Sequence, residues 1–240
     1  NKCLEDTGKV GVVDADVGQA GIGPPTTISS SVVRTPIIGL QKAAAEVAFF
    51  IGDTSPSFVP DKVVALATRL KKRITSSANV VLVNTDGWLA EFNAIRHKQL
   101  LLEEIQPDLV IGLSRSDDII DHLLDRVKFA SLKLPSSSFA RVRSKEERKK
   151  AREAGYRRFL QVRMFDRLEQ TVFPENRRFR GFVAGLLNQS EELLSIGRIN
   201  QVKNGKVTVE TKTNEMLTVL EIGNIALSSK YDEVGYGTLH

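Results

Sequence analysis

Short apolar runs alternate with longer stretches of helical period through the first two thirds of the chain. The runs Val10–Val13, Glu46–Ile51, Asn79–Val83, Asp108–Leu113 and Phe129–Leu132 are too short for helices and nearly continuous in apolar character, which predicts strands buried on both faces. Between them, Asp61–Ile74, Trp88–Ile105 and Asp117–Val127 carry the helical period, and a charged stretch, Ser144–Leu168, reads as a further helix ending before Phe173-Pro174. This alternation predicts the α/β class: a mostly parallel sheet with helices on both faces.

After this stretch the period changes. Gly181–Leu187, Leu193–Gln201, Lys206–Lys212 and Leu217–Leu220 read as short alternating strands, with Asn204-Gly205 as a hairpin turn. A small C-terminal β domain is therefore expected over 175–240, behind an α/β domain over 1–174.

Composition narrows the class without fixing the chemistry. The 240 residues are 41% hydrophobic and 26% charged, enough to bury a core. The net charge is +5 and the pI about 9.3, which suits an acidic partner such as nucleic acid but is equally a common property of solvated surfaces. A single cysteine, Cys3, excludes an internal disulfide, and three scattered histidines with no second cysteine speak against zinc. That usage suits a reducing intracellular compartment, the cytoplasm or, in a eukaryote, the nucleus. No apolar run approaches the length of a membrane span. Asn1 is not a methionine, so the sequence is expected to start inside a longer polypeptide.

Candidate chemistry sits at two predicted strand ends. The run GVVDADVGQAGIGPP places Asp14 and Asp16 two residues apart, so both project to one side if the strand persists, at the carboxyl edge where α/β sheets bind ligands. Paired carboxylates there would hold a hard cation or take a proton from a hydroxyl; capping of a turn is the competing reading. Gly18, Gly21 and Gly23 describe either close backbone approach to a ligand or a tight connection. The second strand, NVVLVNTDGW, ends in Thr85, Gly87 and Trp88. Thr85 suits a phosphate oxygen and Gly87 close approach, while the chain's one tryptophan is more often a packing residue than a base-stacking one.

A third feature is electrostatic: from Arg141 to Arg163, ten of 23 residues are Arg or Lys and three are acidic. Arg148 and Arg152, four apart, share a helical face and could clamp phosphate; a salt-bridged surface helix is the alternative.

Taken together, DADVGQAGIGPPTTIS, the Thr-Asp-Gly-Trp of 85–88 and the Arg148/Arg152 pair resemble the P-loop polynucleotide 5′-hydroxyl kinases, as do FFIGDTSP at 49–56 and the GLL (185–187) and IGRI (196–199) segments. The resemblance spans nearly the whole chain and implies a P-loop-type sheet followed by the small β domain. It implies transfer of the γ-phosphate of ATP, with Mg²⁺, to the 5′-hydroxyl end of RNA or DNA, and RNA-processing proteins as further partners. In that scheme Asp14 orients or deprotonates the acceptor hydroxyl and helps hold water around Mg²⁺, and Asp16 and Gln19 complete the acidic motif. Thr85, Gly87 and Trp88 form a clasp over the phosphates. Arg148 and Arg152 are lid arginines that neutralise the transferring group.

One departure stands out. The glycine-rich phosphate loop of such kinases is not in this sequence; Gly8-Lys9-Val10 lacks the Ser or Thr and precedes a strand. Asn1–Asp6 reads as the end of the helix that follows such a loop, placing the loop about 12 residues upstream, and the piece as given is expected to be inactive alone. Two other readings remain open: a P-loop GTPase or ATPase regulator, and a catalytically silent RNA-processing scaffold.

Overall fold

The computed structural model describes residues 1–89, 91–114, 118–160, 164–166, 179–203, 206–213 and 219–236. A short helix, α1 (Lys2–Thr7), closes on Gly8, whose φ of 72° and N–H to the Leu4 carbonyl form the left-handed cap that glycine favours. It leads into β1 (Val10–Ala15), every residue of which is buried. Then follow β2 (Thr27–Val33), β3 (Val47–Phe50), α2 (Pro60–Thr75), β4 (Val80–Thr85) and α3 (Phe92–Ile105). The four strands form one sheet in the order β3-β2-β1-β4. β1 and β4 run parallel, with Asp14 opposite Asn84 and Ala15 opposite Thr85, whereas β1–β2 and β2–β3 are antiparallel. β5 (Val110–Ser114) and β6 (Ser131–Pro135) make a separate parallel pair joined through α4 (Asp118–Leu124).

The basic helix α5 (Lys145–Phe159) precedes a six-stranded antiparallel sheet. Its strands are β7 (Met164–Asp166), β8 (Phe182–Leu187), β9 (Leu193–Lys203), β10 (Lys206–Thr211), β11 (Val219–Leu227) and β12 (Glu233–Tyr236), in the order β12-β11-β8-β9-β10-β7. The class is therefore the expected one, a parallel-containing sheet with helices followed by a C-terminal antiparallel sheet.

Local chemistry explains the elements that position the site. α2 starts with Pro60 in its first turn, where the missing N–H costs nothing, and has Asp61 near its start and Lys72 and Arg73 near its end. Its buried residues Val63, Val64, Ala67, Leu70 and Ile74 follow the helical period and close over the sheet in a cluster with Val13, Ile28 and Phe49. A second cluster joins the two sheets through Phe50 of β3, Tyr156 and Leu160 of the α5 region, and Val183, Leu187 and Ile196. At one point the backbones touch: a Cβ on Gly223 would lie 2.5 Å from the Gly52 carbonyl oxygen, which accepts the Asn224 N–H at 2.7 Å.

Four expectations are corrected. β2 had no place in the periodicity because Ser29, Ser30 and Ser31 interrupt its apolar run, yet all three are buried. The helix expected from Trp88 begins only at Phe92: the Asp86 carboxylate accepts the Trp88 N–H at 2.9 Å, which locks a turn there, and Glu91 is still extended. The charged helix ends at Phe159 rather than 168, because Leu160 turns into the inter-sheet core, and Met164–Asp166 pairs with β10 as a strand. The strand expected at 217–220 is Val219–Leu227. Asp117, the Phe173-Pro174 pair, the Asn204-Gly205 turn and the boundary near 175 lie outside the described residues.

Candidate phosphoryl-transfer site

The first loop is built around Asp14, which is 1% exposed. Its Oδ2 accepts the N–H groups of Gly21 (2.5 Å) and Ile22 (2.8 Å), and its Oδ1 accepts the Asn84 side-chain amide at 2.8 Å. One carboxylate thus folds the following loop back on the strand and ties β1 to β4, each bond being of the strong charge-assisted kind. Asp16 is more open. Its Oδ1 accepts the N–H groups of Gly18 (3.1 Å) and Gln19 (3.0 Å). Burial, together with the charges of Asp14 and Asp86 and against those two N–H bonds, pushes its pKa up to about 6. A carboxylate that titrates there is poised to accept a proton near neutral pH.

The loop glycines are fitted to their places. A Cβ on Gly21 would come within 2.9 Å of Leu40, and Gly23 takes φ 83° with Ser29 2.7 Å from where its Cβ would be. Both belong to the tight connection, one of the two readings open from sequence. Gly87 differs, since nothing lies within 4 Å of its Cβ position.

The second loop leaves β4 beside the first, as the Ala15–Thr85 register requires. Thr85 and Gly87 are exposed and Trp88 is half-buried, its ring centroid 5.7 Å from that of His97 on α3. Beneath them lies a buried charge pair that the sequence reading missed. Lys98 of α3, 5% exposed, places Nζ 2.8 Å from Asp86 Oδ2 and donates to the Asp86 carbonyl at 2.7 Å. Burial alone would raise the Asp86 pKa, but His97, Lys98 and the Trp88 N–H hold it below the usual carboxylate range. His97 Nε2 stands 3.7 Å from Asp86 Oδ2, too far for a full hydrogen bond, so its pull is that of a nearby ring. Burial pushes the Lys98 ammonium down against the attraction of Asp86 and Asp16. One signal was present in the sequence: Lys98 falls in the stripe Ala94, Lys98, Leu101, Ile105, where every other member is apolar and buried.

The basic helix is reached through Arg143. Ser144 and Glu147 form a capping box, each side chain accepting the other's backbone N–H, and this fixes the helix cap one residue beyond Arg143. The Arg143 guanidinium donates to Gln19 Oε1 at 2.9 Å, and that of Arg148 donates to the Arg143 carbonyl at 3.1 Å. Arg143, Arg148 and the acidic loop are thereby brought together. Arg152 is directed elsewhere: its Nε and Nη2 donate to Glu233 of β12 at 2.6 and 2.7 Å. The structure therefore gathers Asp14, Asp16, Gln19, Thr85, Gly87, Trp88 and the N-terminal end of α5, and ties Arg152 to the second sheet.

Residues 1–162 match the family described as mRNA cleavage and polyadenylation factor CLP1 P-loop. The chain is 29% identical over 161 residues to the polyribonucleotide 5′-hydroxyl-kinase of Pyrococcus furiosus, covering 67% of this chain and 45% of the relative. It is 33% identical over 110 residues to that of Thermococcus kodakarensis, covering 46% and 31%. The chain thus matches less than half the length of these relatives. A solved structure of the wild-type Clp1p–Pcf11p complex superposes with a TM-score of 0.69 at 10% identity, covering 91% of this chain and 67% of that one. A second, describing an extended interface between Pcf11p and Clp1p, gives a TM-score of 0.70 with 91% and 68% covered, also at 10% identity; both likenesses concern the fold.

Proposed function

Since the chain belongs to the CLP1 P-loop family, we propose that it is the acceptor-side part of an ATP-dependent polynucleotide 5′-hydroxyl kinase, acting on RNA or DNA 5′ ends. The relatives named as polyribonucleotide 5′-hydroxyl-kinases favour this reaction. The observation that carries it is the meeting of two parallel strand ends, bearing Asp16 and Thr85, with an arginine that touches the acidic loop through Gln19.

In the proposed reaction the 5′-hydroxyl oxygen forms a bond to the γ-phosphorus of ATP as the bond from that phosphorus to the bridging oxygen breaks and ADP leaves. Asp16 receives the hydroxyl proton; its partly open carboxylate and its pKa of about 6 suit the role. Asp14, whose two oxygens already accept protein N–H groups, orients the loop and through it the acceptor. Thr85, Gly87 and Trp88 close over the phosphates. Arg148, with Arg143 beside it, offsets charge on the transferring group, where positioning and electrostatics supply nearly all of the catalysis. Arg152 anchors the helix that carries Arg148.

The group of carboxylates fits Mg²⁺. Asp16 feels the charges of both Asp14 and Asp86, an excess of negative charge that a cation relieves, and Mg²⁺ typically takes only one or two carboxylates together with water and substrate phosphates. Asp14 would hold it through water, leaving the Asp16 carboxylate free to receive the proton, and the ion would neutralise phosphate charge.

The test is incubation of full-length protein with γ-labelled ATP and a 5′-hydroxyl oligonucleotide. Label on the oligonucleotide is expected. Free phosphate without transfer would instead indicate a nucleotide-hydrolysing regulator, and neither product a silent scaffold.

A further inference from the structure

We propose that the C-terminal antiparallel sheet sets the position of the arginine helix, with Glu233 as the positioning residue; this rests on the kinase reading above. The two ends of α5 have different company. Its N-terminal end meets the acidic loop through Arg143 and Gln19. Its C-terminal half belongs to the second sheet: Tyr156 and Leu160 are fully buried among Val183, Ile196 and Leu227. Arg157 pairs with Asp232 and donates to the Lys230 carbonyl.

The bond that fixes register is Arg152–Glu233. It is bidentate, at 2.6 and 2.7 Å, between side chains only 16% and 12% exposed, and a planar fork on a carboxylate fixes orientation as well as distance. Glu153, on the next position of the helix, accepts the Glu233 backbone N–H at 3.0 Å. The same helix lies against the acidic loop, where a Cβ on Gly155 would come within 2.8 Å of Pro25.

Arg148 stands one turn, about 6 Å, before Arg152 along the axis. A shift at Glu233 is therefore delivered to Arg148 and Arg143 by a rigid element. α5 cannot hold itself there, because ten of its fifteen residues are charged, and an isolated helix of this length is marginal in water. Arg152 in turn has a positioning role: to contact substrate it would have to leave a largely buried counter-ion.

The test uses full-length protein carrying Glu233→Gln, Glu233→Ala, Arg152→Glu, or the swap Arg152→Glu/Glu233→Arg. Phosphate transfer and amide hydrogen exchange over 145–159 are both measured. Glu233→Ala and Arg152→Glu are each expected to lower kcat roughly 10- to 100-fold, as a misplacement of about 1 Å does, with KM for ATP within about twofold. Exchange in α5 should quicken while exchange in β8 and β9 is unchanged. The isosteric Glu233→Gln keeps the fold and should show the same changes, smaller. The swap should restore both readouts.

If the swap restores exchange protection but not kcat, Arg152 acts on substrate and the assignment is overturned. Unaltered α5 exchange in Glu233→Ala and Glu233→Gln overturns it as well. A wild-type protein that transfers no phosphate overturns the kinase reading, and exchange then judges the docking by itself.

Discussion

The loops after β1 and β4 leave neighbouring parallel strands at the same level and are held in opposite ways. The first is tied by an acid to main-chain N–H groups, with glycines packed so tightly that Gly21 and Gly23 have no room for a side chain. The second rests on a buried lysine supplied by α3 and leaves Thr85 and Gly87 open. In the first loop both oxygens of Asp14 are engaged by the fold, while Asp16, the proposed proton acceptor, is more open. In the second the fold uses Asp86 and leaves the flanking residues open. Two acids with similar sequence settings therefore serve as fasteners, and Asp16 near the first and Thr85 and Gly87 beside the second stay more open.

The sharpest break of this comparison is Asp16→Asn. If Asp16 is the proton acceptor, transfer by full-length protein should fall about 10²- to 10⁴-fold with the far-ultraviolet spectrum retained. Wild-type kcat/KM should rise with pH through about 6 and then level off. Equal rates on either side of that value would move the chemistry to another group.

Lys98→Met addresses the other loop. Removing one partner of a buried pair leaves the Asp86 charge uncompensated, which costs about 3–5 kcal/mol, read as a lower urea midpoint. Trp88, the chain's one tryptophan, should report a changed environment by fluorescence in the same variant. Adding Asp86→Leu should recover much of the stability, and a failure to do so would show that the pair is not the fastener.

Asp14→Asn should be milder, about 2 kcal/mol. One amide oxygen still accepts, while its NH₂ now faces a donor at the Gly21 and Ile22 N–H groups or at Asn84. A variant as stable as wild type would mean the first loop does not depend on its acid.

The smallest effect follows from the pKa of Asp16, raised from 3.8 to about 6. A carboxyl whose folded value lies above its unfolded value favours the native state below about pH 4 and loses that contribution as pH rises through about 6. Without Mg²⁺, Asp16→Asn should therefore stabilise the protein more at pH 8 than at pH 4, by about 1–2 kcal/mol after screening at a partly open site. A difference of opposite sign would contradict the burial of Asp16 and the repulsion from Asp14 and Asp86 that together raise its pKa.

Periodicity located most elements because each follows a local rule: apolar runs for β1, β3 and β4, helical spacing for α2, and a charged helical stretch from Ser144 for α5. It failed where burial and polarity disagree. β2 is buried with three serines in its middle, and Lys98 is buried in an apolar stripe because the carboxylate of Asp86 pairs with it. The Asp14 and Asp16 motif was legible as a place but not as a division of labour, since only the returning loop decides which acid its N–H groups reach.

By itself the sequence determined the alternating elements, the Asp14/Asp16 and Thr85–Trp88 motifs at two strand ends, the excess of positive charge over 141–163, and the lack of a phosphate loop among these 240 residues. Each is a matter of residue type and short spacing. Only the tertiary structure decided that β4 lies beside β1, that Arg143 rather than Arg152 reaches the acidic loop, and that Glu233, 81 positions away, holds Arg152. Those pairings are set by how the two sheets pack across Phe50, Tyr156 and Leu160, and hydrogen bonds formed across such separations leave no periodic trace along the chain.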